Sequence, residues 1–193
     1  MRVTITSDFS KLRSKLSKIQ TKQLPFANAL ALTNTAKAAK AGVIKQMDKD
    51  LDRPTPFTKS GVLVTRANKK NQTAVVSLKE IQAKYLKYQI DGGIRQAKLG
   101  APVLVPGNKL RLNKYGNIAR NKFRGTKTSK NFFVKDGVIY KRNKKTVKRQ
   151  ASFHDEAQYS KRFKYFERLT NEARVNYPRE FDKALKTALR TAR

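Results

Sequence analysis

Asp48, Asp50 and Asp52 are the residues whose spacing comes nearest to a metal site in this 193-residue chain. They match the first three ligands of a calcium-binding loop, in which carboxylates wrap a hard cation. That loop next needs a glycine for its sharp turn and a closing glutamate. Arg53 and Lys59 stand at those places, so the run reads as the solvated end of a helix. The one histidine, His154, lies beside Asp155 and Glu156, which are able to orient an imidazole. Adjacency alone makes no nucleophile–base–acid set, and a polar residue at a helix start is the expected role. Gly92-Gly93 and Gly125-Thr126-Lys127-Thr128 invite a phosphate-loop reading, but neither has the Walker spacing. With no cysteine there is no thiolate ligand, disulfide or cysteine nucleophile. The expectation is a protein that is not an enzyme, with no catalytic residue, no metal and no cofactor.

Charge is the stronger signal. The chain carries 45 Lys and Arg against 13 Asp and Glu, a formal net charge of +32. Residues 95–150 hold 17 of the basic residues and one acidic residue, Asp136. Positive charge at that density repels itself, so a polyanion or acidic neighbours are the expected partners. The leading contact group is Lys109, Arg111, Lys114, Arg120, Lys122 and Arg124, in a loop-rich stretch with few apolar neighbours. Lys141, Arg142, Lys144 and Lys145, which follow a hairpin, form the second group. Tyr115, Phe123, Phe132, Phe133 and Tyr140 are interleaved with these charges. Such rings either stack on bases or pack the hairpin that carries them. No recognition-helix motif is present, so contact with DNA or RNA is expected to be with phosphates and independent of sequence.

The elements that must position these groups follow from periodicity. Val3 and Ile5 alternate with Thr4 and Thr6 as a short strand. Ser7 or Asp8 caps a helix with Phe9, Leu12, Leu16 and Ile19 on one face. Pro25 suits the first turn of a longer helix running to Met47. The face of that helix (Ala29, Leu32, Ala36, Ala39, Val43, Met47) is small enough to lie tightly on a sheet or a second helix. Two antiparallel strands, around Val62–Val64 and Val75–Ser77, are joined through residues 67–71, and a third apolar stretch, Tyr85 to Ile90, stops at Asp91-Gly92-Gly93. Val103–Val105 and Leu110–Leu112 are short apolar runs. Phe132–Val134 and Val138–Tyr140 flank Lys135-Asp136-Gly137, a hairpin signal. From about Asp155 the pattern is helical, with Tyr159, Phe163, Phe166 and Leu169; Pro178 interrupts it before Phe181, Leu185 and Leu189. The fold class is α+β: N-terminal helices packed on a small antiparallel sheet, a basic β-hairpin insertion, and C-terminal helices. Residues 1–94 with 151–193 form the core domain, and 95–150 form a basic β-rich insertion or arm. No apolar run is long enough to span a membrane, and the start of the chain lacks a signal-peptide core.

The order of these elements resembles a family. The Ala-rich helix LPFANALALTNTAKAAKAGVIKQM leads into PTPFTKSGVLVTRA, which is similar to the turn and first strand of phage tail-completion proteins. IQAKYLKYQIDGG is similar to the segment that closes their small domain. The basic hairpin and the ending VNYPREFDKALKTALRTAR resemble the minor tail protein Z branch. The resemblance implies a non-enzymatic virion component at the head-proximal end of the tail or in the neck, assembled in the host cytoplasm. It implies a homo-oligomeric ring, six- or twelve-fold, around the DNA channel, set against neck, portal-adaptor or tail proteins and open to non-specific contact with genomic DNA. It supplies no catalytic residue. Short tail-completion proteins lack the 95–150 excursion, which therefore has a role of its own. The alternative is a sequence-independent DNA- or RNA-binding protein acting through the basic arm.

Overall fold

The computed structural model describes residues 1–7, 18–97, 102–119, 121–123, 131–144 and 146–191, with side chains in the first helix described from Gln23 onward. Its elements run β1 (Arg2–Ile5), α1 (Lys18–Asp50), α2 (Pro56–Lys59), β2 (Val62–Thr65), β3 (Ala74–Leu78), α3 (Glu80–Ile90), β4 (Gly93–Gln96), β5 (Val103–Pro106), β6 (Phe132–Lys135), β7 (Val138–Arg142), β8 (Val147–His154), β9 (Glu156–Tyr159) and α4 (Tyr165–Arg190). Helices and antiparallel sheets together make an α+β fold. The chain divides into two compact units: residues 1–86 with 163–193, and residues 87–162. The second unit takes in flanks on both sides of 95–150, because β4 pairs with β9 and both strands belong to it.

In the first unit, β1 and β2 flank β3, both antiparallel to it. Helix α1 packs on β2, β3 and α4. Ala29, Leu32, Ala36, Ala39, Val43 and Met47, the small face expected from the sequence, are all buried. Burial does not stop at one face: Ala27 and Ala31 pack with Ala184 and Ala188 of α4, bordered by Tyr177, Phe181 and Leu185. Alanines on both helices bring the two backbones close, and close approach strengthens dispersion attraction. One polar residue sits inside this packing. Asn28 is fully buried; its Oδ1 accepts from Ser7 Oγ and from Tyr177 Oη, each at 2.7 Å, and its Nδ2 donates to Gln72 Oε1 at 2.7 Å. Every hydrogen bond here replaces one with water that burial removed.

Both helix prolines depart from the expectation. Pro25 lies inside α1 rather than in its first turn, and Pro178 lies inside one continuous α4 rather than between two helices. A proline in a helix interior removes one backbone bond and costs roughly 3 kcal/mol. Packing outweighs that cost on each side. Leu24 and Ala27 are buried around Pro25, and the Pro25 carbonyl accepts from Gln72 Nε2 at 3.0 Å. Tyr177 and Phe181 flank Pro178 and pack on the alanine cluster, while Pro178 itself is exposed. One further expectation changes: Glu156–Tyr159 is a strand, with helix starting only at Tyr165; the apolar stretch Tyr85 to Ile90 is the second half of α3. The expected helix around Phe9, Leu12 and Leu16 lies outside the described residues.

Candidate nucleic-acid interface

The second unit is built on a four-stranded antiparallel sheet in the order β5-β8-β7-β6. Its hairpin follows from two residues. Lys135 pairs with Val138 across Asp136 and Gly137, whose φ angles are +49° and +70°. Two successive left-handed residues make the two-residue turn that suits strand twist, and Asp-Gly is a favoured pair for it. Strand β7 then continues through Arg142, so Lys141 and Arg142 belong to the hairpin rather than to a tail behind it. Lys144 occupies the β7–β8 turn, closed by Asn143 N–H to the Thr146 carbonyl at 2.7 Å.

The register places one set of side chains on one face. Phe133, Tyr140 and Arg149 lie opposite one another on β6, β7 and β8. The Phe133 and Tyr140 rings stack at 5.4 Å and 19°, and the Arg142 guanidinium sits 5.3 Å from the centre of Phe133. On the other face, Lys141 lies 5.9 Å over Phe132, and Phe132 meets Phe123 edge-on at 6.2 Å. Ile139 and Leu110 are buried, so Leu110, expected within an apolar run, instead anchors a turn. The rings thus pack the hairpin as one of the two expected roles requires: Phe132 with Phe123, and Phe133 with Tyr140, all four half-buried.

A bulge decides what joins them. Ile139 pairs with Ala151 and Tyr140 with Arg149, leaving Gln150 as an extra residue in β8. Residues three apart on a regular strand point to opposite faces; one extra residue returns them to the same face. Arg149 Nη2 accordingly donates to Ser152 Oγ at 2.9 Å, and Ser152 Oγ lies 2.9 Å from His154 Nε2. His154 therefore ends a strand and does not start a helix. Strand β5 pairs only with Ala151–His154, so β8 from Val147 to Arg149 has no β5 partner. Gly107 closes the corner, its N–H bonded to the Gln150 carbonyl at 2.7 Å, where a Cβ would come within 3.0 Å of that oxygen. The result is an open groove of about 600 Å³ whose lining includes Lys109, Lys148, Arg149, Ser152 and His154.

Of the expected contact residues, Lys109, Arg111 and Lys114 are exposed and Lys122 is half-buried. Lys114 and Tyr115 sit on a turn held by Asn113, whose Oδ1 accepts from the N–H groups of Tyr115 and Asn117. Lys109 and Arg142 are brought to the groove and the ring stack respectively; Arg111 and Lys114 join neither. Arg120, Arg124 and Lys145 lie outside the described residues. Lys148, Arg149 and Ser152 are absent from the expected set, because the alternation that would reveal them is broken at Gln150.

Electrostatics separates this unit from the other. Residues 87–162 carry 20 Lys and Arg against four Asp and Glu. Among the described residues every ion pair lies in the first unit: Arg53–Asp52, Lys59–Asp48, Lys84–Glu80, Arg168–Glu172, Lys183–Glu180 and Lys186–Asp182. The three alternating aspartates have separate uses. Asp48 pairs with Lys59, and Asp52 pairs with Arg53, whose hydrogen bond holds its carboxyl below the usual range. Asp50 accepts from Gln46 Nε2 and from the Lys164 N–H at the start of α4. Among the described residues no three His, Asp or Glu side chains gather to hold a metal, and no helix is long and apolar enough to cross a membrane. No protein-family model, curated protein or solved structure matches this chain.

Proposed function

We propose that the chain is a non-enzymatic structural protein of a bacteriophage virion, a ring-forming tail-completion or neck component whose residues 87–162 meet polyanionic DNA in or beside its channel. One observation carries this reading: the basic side chains of the second unit have no carboxylate partners among the described residues, whereas those of the first unit repeatedly do. Unpaired cations at this density raise the energy of the free chain and lower it again when phosphates arrive and counterions leave. A ring subunit holds such a surface against DNA without any chemistry. The family resemblance supplies the virion and the ring; the charge supplies the DNA. Electron microscopy of the purified virion, with its proteins identified by mass spectrometry, tests the assignment. A ring of this chain at the head–tail junction is expected, and its absence from the virion overturns the reading.

A second reading has its own support. The stacked Phe133–Tyr140 pair under Arg142 suits a free-standing, sequence-independent DNA- or RNA-binding protein. Such a protein binds nucleic acid as a soluble species and co-purifies with it in the absence of virions.

A further inference from the structure

We infer that the Phe133–Tyr140 face of the four-stranded sheet is a site for unpaired bases, so that the second unit holds single-stranded nucleic acid more tightly than duplex. The inference rests on the reading that this unit meets nucleic acid and specifies the form. Rings buried by duplex stacking cannot be reached by a protein side chain, whereas an unpaired base offers its face to an aromatic platform. Three features of this face fit that ligand together. Phe133 and Tyr140 stack nearly parallel, with Arg142 over Phe133, which forms a graded pile of flat groups on which a further flat ring can be added. Arg149 lies directly opposite Tyr140 on the neighbouring strand and also lines the adjoining groove. That groove carries Lys109 and Lys148 with Arg149, which places phosphate-binding cations beside the ring stack.

The bulge at Gln150 links the two parts. Without the extra residue, Arg149 and Ser152 would face opposite sides of the sheet and could not hydrogen-bond to each other. With it, the Arg149 guanidinium is hydrogen-bonded to Ser152 on the face that carries Tyr140, which lowers the ordering cost when the strand binds. Duplex DNA would use the cations of this groove and leave Tyr140 without a role. That difference makes the inference separable from the broader reading.

The test uses the full chain, an oligothymidylate and a mixed-sequence duplex of equal length, compared by fluorescence anisotropy over a range of salt. Single strands are expected to bind tighter than duplex. Tyr140→Leu, which keeps an apolar side chain in the hairpin, is expected to weaken single-strand binding by about tenfold while leaving duplex binding unchanged. Tyr140→Phe keeps the ring and is expected to bind single strands like the parent chain, which separates loss of stacking from loss of folding. Equal affinity for both forms, with no change in Tyr140→Leu, overturns the base-stacking inference but leaves phosphate binding standing. Binding of neither nucleic acid, with retention on polyglutamate instead, overturns both and assigns the surface to an acidic protein.

Discussion

The two units of this chain carry the same excess of positive charge and treat it differently. Residues 87–162 hold 20 basic and four acidic side chains; the other 117 residues hold 25 and nine, so each unit has a net charge of +16. In the first, four cations on helices have a carboxylate one helical turn away, Lys84–Glu80, Arg168–Glu172, Lys183–Glu180 and Lys186–Asp182, and two more pair elsewhere. Beneath them lies a core of alanines and leucines that owes nothing to charge. In the second, cations stand beside aromatic rings on a sheet surface. Net charge alone therefore does not identify a binding surface. What differs is that the second unit has no ion pair among its described residues, while its cations gather around one sheet and its ring stack.

The largest effects separate the units by stability. Leu32→Ala, at a fully buried site on α1, is expected to cost about 3 kcal/mol in urea unfolding followed by circular dichroism, through reduced burial and the cavity left behind. Nucleic-acid binding by the second unit, measured under folding conditions, should be unchanged. A loss of binding in that variant would mean that the two units do not behave separately.

Neutralising the basic residues of the loop after β5 makes the opposite cut. Replacing Lys109, Arg111, Lys114 and Lys122 with Gln is expected to flatten the plot of log affinity for duplex DNA against log salt. The slope should fall by about 0.9 for each phosphate that the variant no longer neutralises. Sequence preference and unfolding midpoint should stay where they were. If the salt slope did not move while co-assembly with an acidic tail protein failed, the loop would belong to a protein interface.

A smaller effect tests the core of the first unit by pH. Tyr165 is fully buried, its hydroxyl has no hydrogen-bond partner among the described residues, and burial pushes its pKa up to about 12. Between about pH 10 and that value the unfolded chain has lost the phenol proton while the folded chain keeps it, so stability falls as pH rises through this window. Tyr165→Phe should abolish that part of the alkaline loss. At neutral pH it should leave stability unchanged or raise it by about 1 kcal/mol, since an unsatisfied hydroxyl is removed. A clear loss of stability at neutral pH would reveal a partner for the hydroxyl.

The smallest change is Lys186→Ala. Its partner Asp182 is one helical turn back and both are exposed, so the pair contributes about 0.3–0.5 kcal/mol. Thermal unfolding in low and high salt checks it; a larger, salt-independent loss would mean that the Lys186 stem packs against apolar surface.

Much of the first unit is legible in the residues. The alternation of Val3 and Ile5, the small face from Ala29 to Met47 and the strands around Val62 and Val75 all appear where local pattern places them. Pro25 and Pro178 mislead because a proline is judged locally, while the energy that keeps each helix running comes from packing against the other helix. In the second unit the Asp136-Gly137 turn is visible for a backbone reason that no tertiary contact can alter. Strand β8 is not visible, because its alternation changes phase at Gln150.

By itself, the sequence determined the α+β class, the hairpin, the apolar face of the long helix and the concentration of cations in the middle of the chain. Each depends on side-chain chemistry, on dihedral preference, or on a periodicity unbroken over several residues. Only the tertiary structure decided which cations remain unpaired, which rings stack on which, and that Arg149, Ser152 and His154 share a face with Tyr140. Those outcomes depend on register, and here register turns on one extra residue whose effect is to reverse the side-chain direction of everything after it.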